Sequence, residues 1–421
     1  MLQIQIVSHQ LQPNFIGFLL TKPSRVLLLT TNHQAIVSRA NRLKRFYKAS
    51  FNVEADIFDV GALGFYAHHL AQARSILDNV KSQGFDISKI EINATGGSKP
   101  LADAFKQAVL EHQGAAFYCH TELKQLEYYH PPKFIDYSQV PCIDLEQILN
   151  IQGYQFVSEQ AKLPWQDVTQ ALGDYFIKQH CSETVKVNAQ LNQRAIHASA
   201  NNLTLSTADE GFNRLNSASV DLNNSCQNRL HIDPIKKCIT FSDLTFAKFL
   251  CGQWFEQWLY LQAKQAAPDH LYLGVEIQDE DNAVLKQELD IVLIHNHQLL
   301  FLECKTSKSG YLNSKDINRL VQLSRNLGAL TKVCFVSLNG VNTDTEVRLK
   351  REGIDYIVEQ HIAHIADYFK EWVANAEKTN MPLPALNIPP NTLSKSSTSK
   401  KRTNWLSKLL AKIKSTKEEQ V

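Results

Sequence analysis

QELDIVLIHNHQLLFLECKTSK, residues 287–308, alternates like a β-hairpin yet carries Asp290, Glu303 and Lys305 among its apolar residues. Residues 288–294 and 299–305 are rich in Ile, Val, Leu and Phe, and the polar HNHQ between them reads as the turn. With Asn296 and His297 as a two-residue loop, His295 faces Gln298. Pairing carried outward then sets Asp290 opposite Glu303 and Glu288 opposite Lys305. Side chains alternate faces along a strand, so these four share one face while Leu302 and Cys304 point the other way. Opposed Cβ atoms lie only about 4.5–5.5 Å apart, and like charges so placed repel. A bound cation would resolve that conflict: Mg²⁺ or Mn²⁺ takes oxygen ligands, commonly one or two carboxylates plus waters. A plainer reading stays open, with Glu288 and Lys305 as a cross-strand ion pair and both other carboxylates solvated. A loop of odd length would also shift the register and part Asp290 from Glu303.

LDIVLIHNHQLLFLECK resembles the D-x(n)-ExK core of the PD-(D/E)xK nuclease superfamily, with Asp290, Glu303 and Lys305 at its three positions and Leu289 where a proline often stands. FLCGQWFEQWLYLQ, residues 249–262, resembles the superfamily's first helix, whose acidic residue would be Glu256. Trp254, Trp258 and Leu261 read as core residues of that helix. Residues 313–330 read as a helix and KVCFVSL, 332–338, as a strand, completing an α-β-β-β-α-β order. The resemblance implies a metal-dependent endonuclease, with Asp290 and Glu303 holding Mn²⁺ or Mg²⁺ and Lys305 stabilising charge on the phosphorane oxygens. Glu256 would complete the shell or orient a water. Gln322, on a polar helix face with Asn318 and Arg325, either touches the site or is solvated.

At 421 residues the chain exceeds the usual single-core size, which predicts two or three domains. With 44% hydrophobic and 20% charged residues it has the composition of a soluble globular protein. No run of about 18 apolar residues and no signal-peptide pattern occurs, so a cytoplasmic location without membrane contact is expected. Eight cysteines without any C-x-x-C argue against structural zinc and for free thiols in a reducing compartment. Residues 395–421 hold eight Lys or Arg against two Glu, which leaves the remainder at 36 basic to 40 acidic, net −4. The basic tail is a feature of its own.

The first third has the rhythm of a parallel α/β domain. IQIVS (4–8), RVLLLTT (25–31), VEADIFDV (53–60), KIEINAT (89–95) and AAFYCHT (115–121) read as buried strands, with helices at 35–49 and 100–113 between them. Such alternation predicts a Rossmann-like sheet with ligands outside the carboxyl ends of its strands. At one such end lies NATGGSKP, residues 93–100, where two glycines permit tight turns and Pro100 suits the first turn of a helix. The backbone N–H groups there would form an anion site, or the segment is only a turn. It matches neither G-x-x-x-x-G-K-[ST] nor G-x-G-x-x-G.

VSHQLQPN (7–14) followed by NATGGSKP resembles the CARF sensor domain, which binds cyclic oligoadenylates made by type III CRISPR complexes. A CARF domain joined to a PD-(D/E)xK domain resembles the CRISPR-associated DNase/RNase effectors of the Card/Can type, over about residues 1–375. The resemblance implies a homodimer sharing one cyclic ligand, usually cyclic tetra-adenylate. Ser8, Gln10, Asn14, Thr95, Gly96, Gly97, Ser98 and Lys99 would line the pocket, with Thr31 a weaker candidate and His9 a departure from the pattern.

The expected organisation is a Rossmann-like CARF domain at 1–140, a helical connector with a polar, irregular insertion at 141–235, a restriction-endonuclease-like α/β domain at 236–375, and a disordered basic tail at 376–421. The connector is expected as helices at 143–156 and 164–180, with Asn and Ser accumulating at 188–228. The tail's residues 403–415 read as a short basic amphipathic helix. The expected function is a ligand-activated nuclease for single-stranded DNA and RNA, with nicking of duplex DNA a further expectation. Two alternatives remain: a nucleotide-sensing regulator that only binds nucleic acid, and a DNA-repair or restriction nuclease dimerised by its Rossmann-like half.

Overall fold

β1 (Leu2–Ile6) is buried along its whole length, although Gln3 and Gln5 sit among its apolar residues. Both amides are satisfied internally. Gln3 Nε2 donates to Thr21 Oγ1 at 2.8 Å, and Tyr47 Oη donates to Gln5 Oε1 at 3.0 Å. A buried polar group costs free energy unless paired, and this network lets an amide-bearing strand lie at the sheet centre.

The computed structural model describes residues 1–377, except 62–63, 161, 207–209, 283 and 307–312. Around β1 lie β2 (Arg25–Thr30), β3 (Glu54–Asp59), β4 (Ile90–Asn93), β5 (Ala115–His120), β6 (Gln125–Tyr129) and β7 (Pro132–Asp136), in the order β3-β2-β1-β4-β5-β6-β7. The first five are parallel and the last two antiparallel. Helices Gln12–Thr21, Gln34–Phe51, Tyr66–Ser82 and Lys99–Glu111 make the connections. The winding reverses between β1 and β4, the switch point at which open α/β sheets leave a crevice.

A second sheet has the order β16-β15-β14-β13-β12-β8. Its members are β8 (Tyr154–Ser158), β12 (His270–Asp279), β13 (Lys286–His295), β14 (Gln298–Lys305), β15 (Thr331–Ser337) and β16 (Asp355–Val358), leaving β9 (Thr204–Ser206), β10 (Leu230–Asp233) and β11 (Cys238–Phe241) as a small third sheet. Helix Trp254–Lys264, β12, β13, β14, helix Ser314–Leu327 and β15 follow the expected α-β-β-β-α-β order. The chain is thus a mixed α/β fold with a parallel-rich Rossmann-like sheet and a second α/β sheet. Among the described residues no helix is long and apolar enough to cross a membrane.

Three local expectations need correction. Residues 143–156 are not one helix: Leu145–Gln152 ends at Gly153 (φ 88°), and β8 then adds to the edge of the second sheet beside β12. Residues 188–228 are not irregular. They contain most of helix Ser182–His197, the strand β9, and helices Glu210–Ser217 and Ser219–Ser225. Val187, Leu191 and Ala195 join Leu293, Leu300 and Leu302 in one core, so the Asn-rich stretch packs under the second sheet. The helix expected at 249–262 is broken by a wider turn at Phe249–Gln253, where Gly252 has φ 148°, a value only glycine adopts readily. The tail expected at 376–421 lies outside the described residues apart from Ala376 and Glu377, which end the helix Ile365–Glu377.

Candidate functional site

The hairpin turn is Asn296-His297, both with positive φ (45° and 64°), the two-residue type that matches strand twist. His295 pairs with Gln298, and the ladder runs outward to Ile291 opposite Leu302. There regular pairing stops. Instead of a strand carbonyl, the Asp290 carboxylate accepts from the Cys304 N–H, at 2.6 Å.

The cause lies on the neighbouring strand. Leu271 and Leu273 pack in one core, but Val275 and Ile277, of the same parity, pack in the other. Leu293 and Ile291 against Leu289 show the same exchange on β13. Gly274, with φ 57°, stands at the crossover. The strand pair therefore turns over at Gly274 and Asp290, as a bulge-like irregularity permits. The expected single face for Glu288, Asp290, Glu303 and Lys305 does not persist across this point. Glu288 faces Glu276 on β12, and the expected Glu288–Lys305 opposition is replaced by a Lys305 Nζ–Glu303 Oε1 pair of 2.7 Å.

Glu303 is buried, with 5% of its surface exposed, and is held by two cations. Its second oxygen accepts from Arg319 Nη2 at 2.5 Å. Arg319 escaped the sequence reading, which singled out Gln322, on a polar face with Asn318 and Arg325, as either touching the site or solvated. Asn318 and Arg325 instead reach Arg348 and Glu352, while Gln322 is exposed. A basic residue in the second turn of a helix carries no sequence mark of its partner.

Glu256 reaches the same locality from helix Trp254–Lys264, whose Trp254, Phe255, Trp258 and Leu259 anchor it in the core. Burial raises the Glu256 pKa, reinforced by the Asp290 charge; burial and Glu303 likewise raise Asp290, against the opposing hydrogen bond from Cys304. Burial alone would lower Lys305, but the charge and hydrogen bond of Glu303, with Asp290, raise it. These carboxyls strain against one another. Among the described residues no group of three or more His, Cys, Asp or Glu is arranged to hold a metal ion. The donor chemistry still suits a hard divalent cation bound by Asp290 and Glu303 with waters, provided Lys305 or Arg319 yields an oxygen of Glu303.

A second locality lies at the switch point. Thr95 N and Oγ1 both donate to Asn93 Oδ1, at 3.1 and 2.6 Å, folding the chain sharply after β4. A Cβ on Gly96 would fall 2.1 Å from the Ile6 carbonyl oxygen and 3.4 Å from Ser8 Cβ, so the two strand ends touch there. Gly97 has φ 81°. Helix Lys99–Glu111 begins with Ser98 as its uncapped N-cap, leaving N–H groups directed outward. Ser8, Thr95, Gly96, Gly97, Ser98 and Lys99 thus gather at one edge, and Thr31 follows the adjacent β2. Two expected ligand residues are already hydrogen-bonded within the protein. Asn14 is buried and donates to the Ile6 carbonyl at 3.2 Å, and Gln10 Oε1 accepts from the Ala329 N–H at 2.9 Å.

A parallel-rich Rossmann-like sheet thus leads into a second sheet that carries the Asp290, Glu303 and Lys305 hairpin, a two-sheet α/β architecture. Residues 243–376 match the family model described as Card1-like, endonuclease domain. Among solved structures, the chain is similar to protein VC1899 from Vibrio cholerae (TM-score 0.74, 17% identity, 89% of this chain and 98% of that one). It is also similar to Can2 from Sulfobacillus thermosulfidooxidans in complex with cyclic tetra-adenylate (TM-score 0.67, 19% identity, 88% and 97%). No curated protein matches the chain.

Proposed function

We propose that the protein is an endonuclease switched on by a cyclic oligoadenylate, with cyclic tetra-adenylate as the activator, that cleaves single-stranded DNA and RNA as a homodimer in antiviral defence. The observation that carries this reading is the coincidence of the Asp290–Glu303–Lys305 cluster with the segment matched to an endonuclease domain. The fold shared with Can2 bound to cyclic tetra-adenylate supports the activator, as does the uncapped helix start beside Gly96 and Gly97.

A Mn²⁺ or Mg²⁺ ion at Asp290 and Glu303 would polarise the scissile phosphate and acidify a bound water. Lys305, kept cationic by Glu303, is placed to stabilise charge on the phosphorane oxygens. Glu256, with its raised pKa, is suited to hold a proton near neutrality and to orient a water. At the other end, the N–H groups opening helix Lys99–Glu111 suit phosphate oxygens, and Lys99 adds a positive charge. Nuclease assays with Mn²⁺ on single- and double-stranded substrates, with and without each cyclic oligoadenylate, test the reading. Cleavage indifferent to every activator would remove the sensor, and no cleavage at all would remove the nuclease.

A further inference from the structure

Thr306 directly follows Lys305 and is 8% exposed. Its carbonyl oxygen accepts from Asn188 Nδ2 at 3.1 Å and Asn339 Nδ2 at 3.3 Å, while its hydroxyl accepts from Asn192 Nδ2 at 3.1 Å. Asn188 and Asn192 lie one turn apart on helix Ser182–His197 and are 1% and 3% exposed. The Lys305 carbonyl accepts from the Leu338 N–H at 3.1 Å, next to Asn339. On the remaining side, a Cβ at Gly252 would stand 3.3 Å from Thr306 Oγ1, and Gly252 belongs to the wide turn leading into the helix of Glu256.

Three segments remote in sequence thus converge on one residue at the end of β14. Two buried carboxamides are a costly way to fill a core unless their donors are needed, since apolar side chains would pack without desolvation penalty. Their Oδ1 atoms have no hydrogen-bond partner, so among the described residues Thr306 is what the carboxamides address. Wide helical turns of the Gly252 kind recur at functional sites.

We propose that Asn188, Asn192 and Asn339 are positioning residues for the nuclease reaction, clamping Thr306 and thereby fixing the Lys305 ammonium relative to Asp290, Glu303 and the helix bearing Glu256. The proposal rests on the nuclease reading above. It makes the Asn-rich helix part of the catalytic half's machinery. Displacement of a catalytic group by about 1 Å costs up to ~100-fold in rate.

The test measures kcat and KM separately on single-stranded DNA, with saturating Mn²⁺ and cyclic tetra-adenylate, alongside thermal unfolding. Thr306→Val removes the hydroxyl with little change of shape, and Thr306→Ser retains it. Thr306→Val and Asn192→Ala should lower kcat roughly 10- to 100-fold with KM unchanged, while Thr306→Ser stays near wild type. Asn339→Ala, at a partly exposed position, should lower kcat several-fold and decides the matter if the buried variants fail to fold. Wild-type kcat in folded Thr306→Val, or Thr306→Ser as impaired as Thr306→Val, overturns the clamp. If Glu303→Ala is dead while the clamp variants keep wild-type kcat, the clamp falls and the nuclease reading stands. Wild-type protein that cleaves no nucleic acid overturns both.

Discussion

Glu303 makes ion pairs of 2.7 Å with Lys305 and 2.5 Å with Arg319, whereas Asp290, among the described residues, accepts from the Cys304 backbone N–H. If the two carboxylates share a cation, Asp290→Ala and Glu303→Ala should reduce cleavage to background. Lys305→Ala should keep Mn²⁺ binding and lose about 100- to 1,000-fold in kcat. Near wild-type cleavage by either carboxylate variant would sink the hairpin site. The same residues make stability depend on pH. Asp290 and Glu256 have raised pKa values, so the fold binds their protons more tightly than the unfolded chain does. Their contribution is complete below the unfolded pKa of about 4 and is lost as pH rises through the higher folded values. Relative to Asp290→Asn, metal-free wild type should therefore lose Tm from about pH 4 towards neutrality and above. Mn²⁺ should oppose the fall, because it binds ionised carboxylates. A wild type that gains Tm relative to Asp290→Asn across this range would contradict the crowding of carboxyls described above.

Among the elements, the turn after β4 leaves no room for a side chain at Gly96. With the Ile6 carbonyl 2.1 Å from a Cβ at position 96, Gly96→Ala must part the ends of β1 and β4. It should cost about 1–3 kcal/mol in urea unfolding and blunt the response to cyclic tetra-adenylate. An unaltered midpoint and response would place the ligand elsewhere. The glycine pair and the I′ hairpin were legible in the sequence because each depends on local backbone demands. Helix 99–111 and the hairpin register as far as Ile291 opposite Leu302 follow from period and turn chemistry alone. What stayed illegible depends on partners distant in sequence. β8 is a strand only because β12 offers an edge more than a hundred residues later. The face exchange at Gly274 overrides the parity of β13, and the Arg319–Glu303 pair exists only once helix Ser314–Leu327 lies against β14. Asn188 and Asn192 looked like loop composition because their reason for being buried, Thr306, stands over a hundred residues away.

Across the whole molecule, the segment from Ser8 to Gln12 links the glycine turn to the turn end of the hairpin, the end remote from Asp290 and Glu303. Ser8 lies against Gly96, while Gln12, 1% exposed, donates to the His297 carbonyl in the hairpin turn at 2.8 Å, and Gln10 holds Ala329. A ligand at the glycine turn thus bears on a hydrogen-bonded stretch that reaches the strand pair carrying the nuclease residues at its turn end. Lys99→Glu, which puts negative charge where adenylate phosphates would sit, should leave the protein folded and Mn²⁺-binding but deaf to activator. Glu303→Ala should bind activator and never cut. Reciprocity makes a stricter demand: if the activator favours the substrate-binding state by some factor, bound substrate must tighten activator binding by that same factor, typically 5- to 150-fold. Calorimetry with cyclic tetra-adenylate on Glu303→Ala, with and without single-stranded DNA, measures it without turnover. Tighter binding in the presence of DNA is the expected result. Equal affinities, beside strong activation of the wild type, would mean that the activator alters the arrangement around Glu303 and Lys305 after substrate has bound, rather than the affinity for substrate.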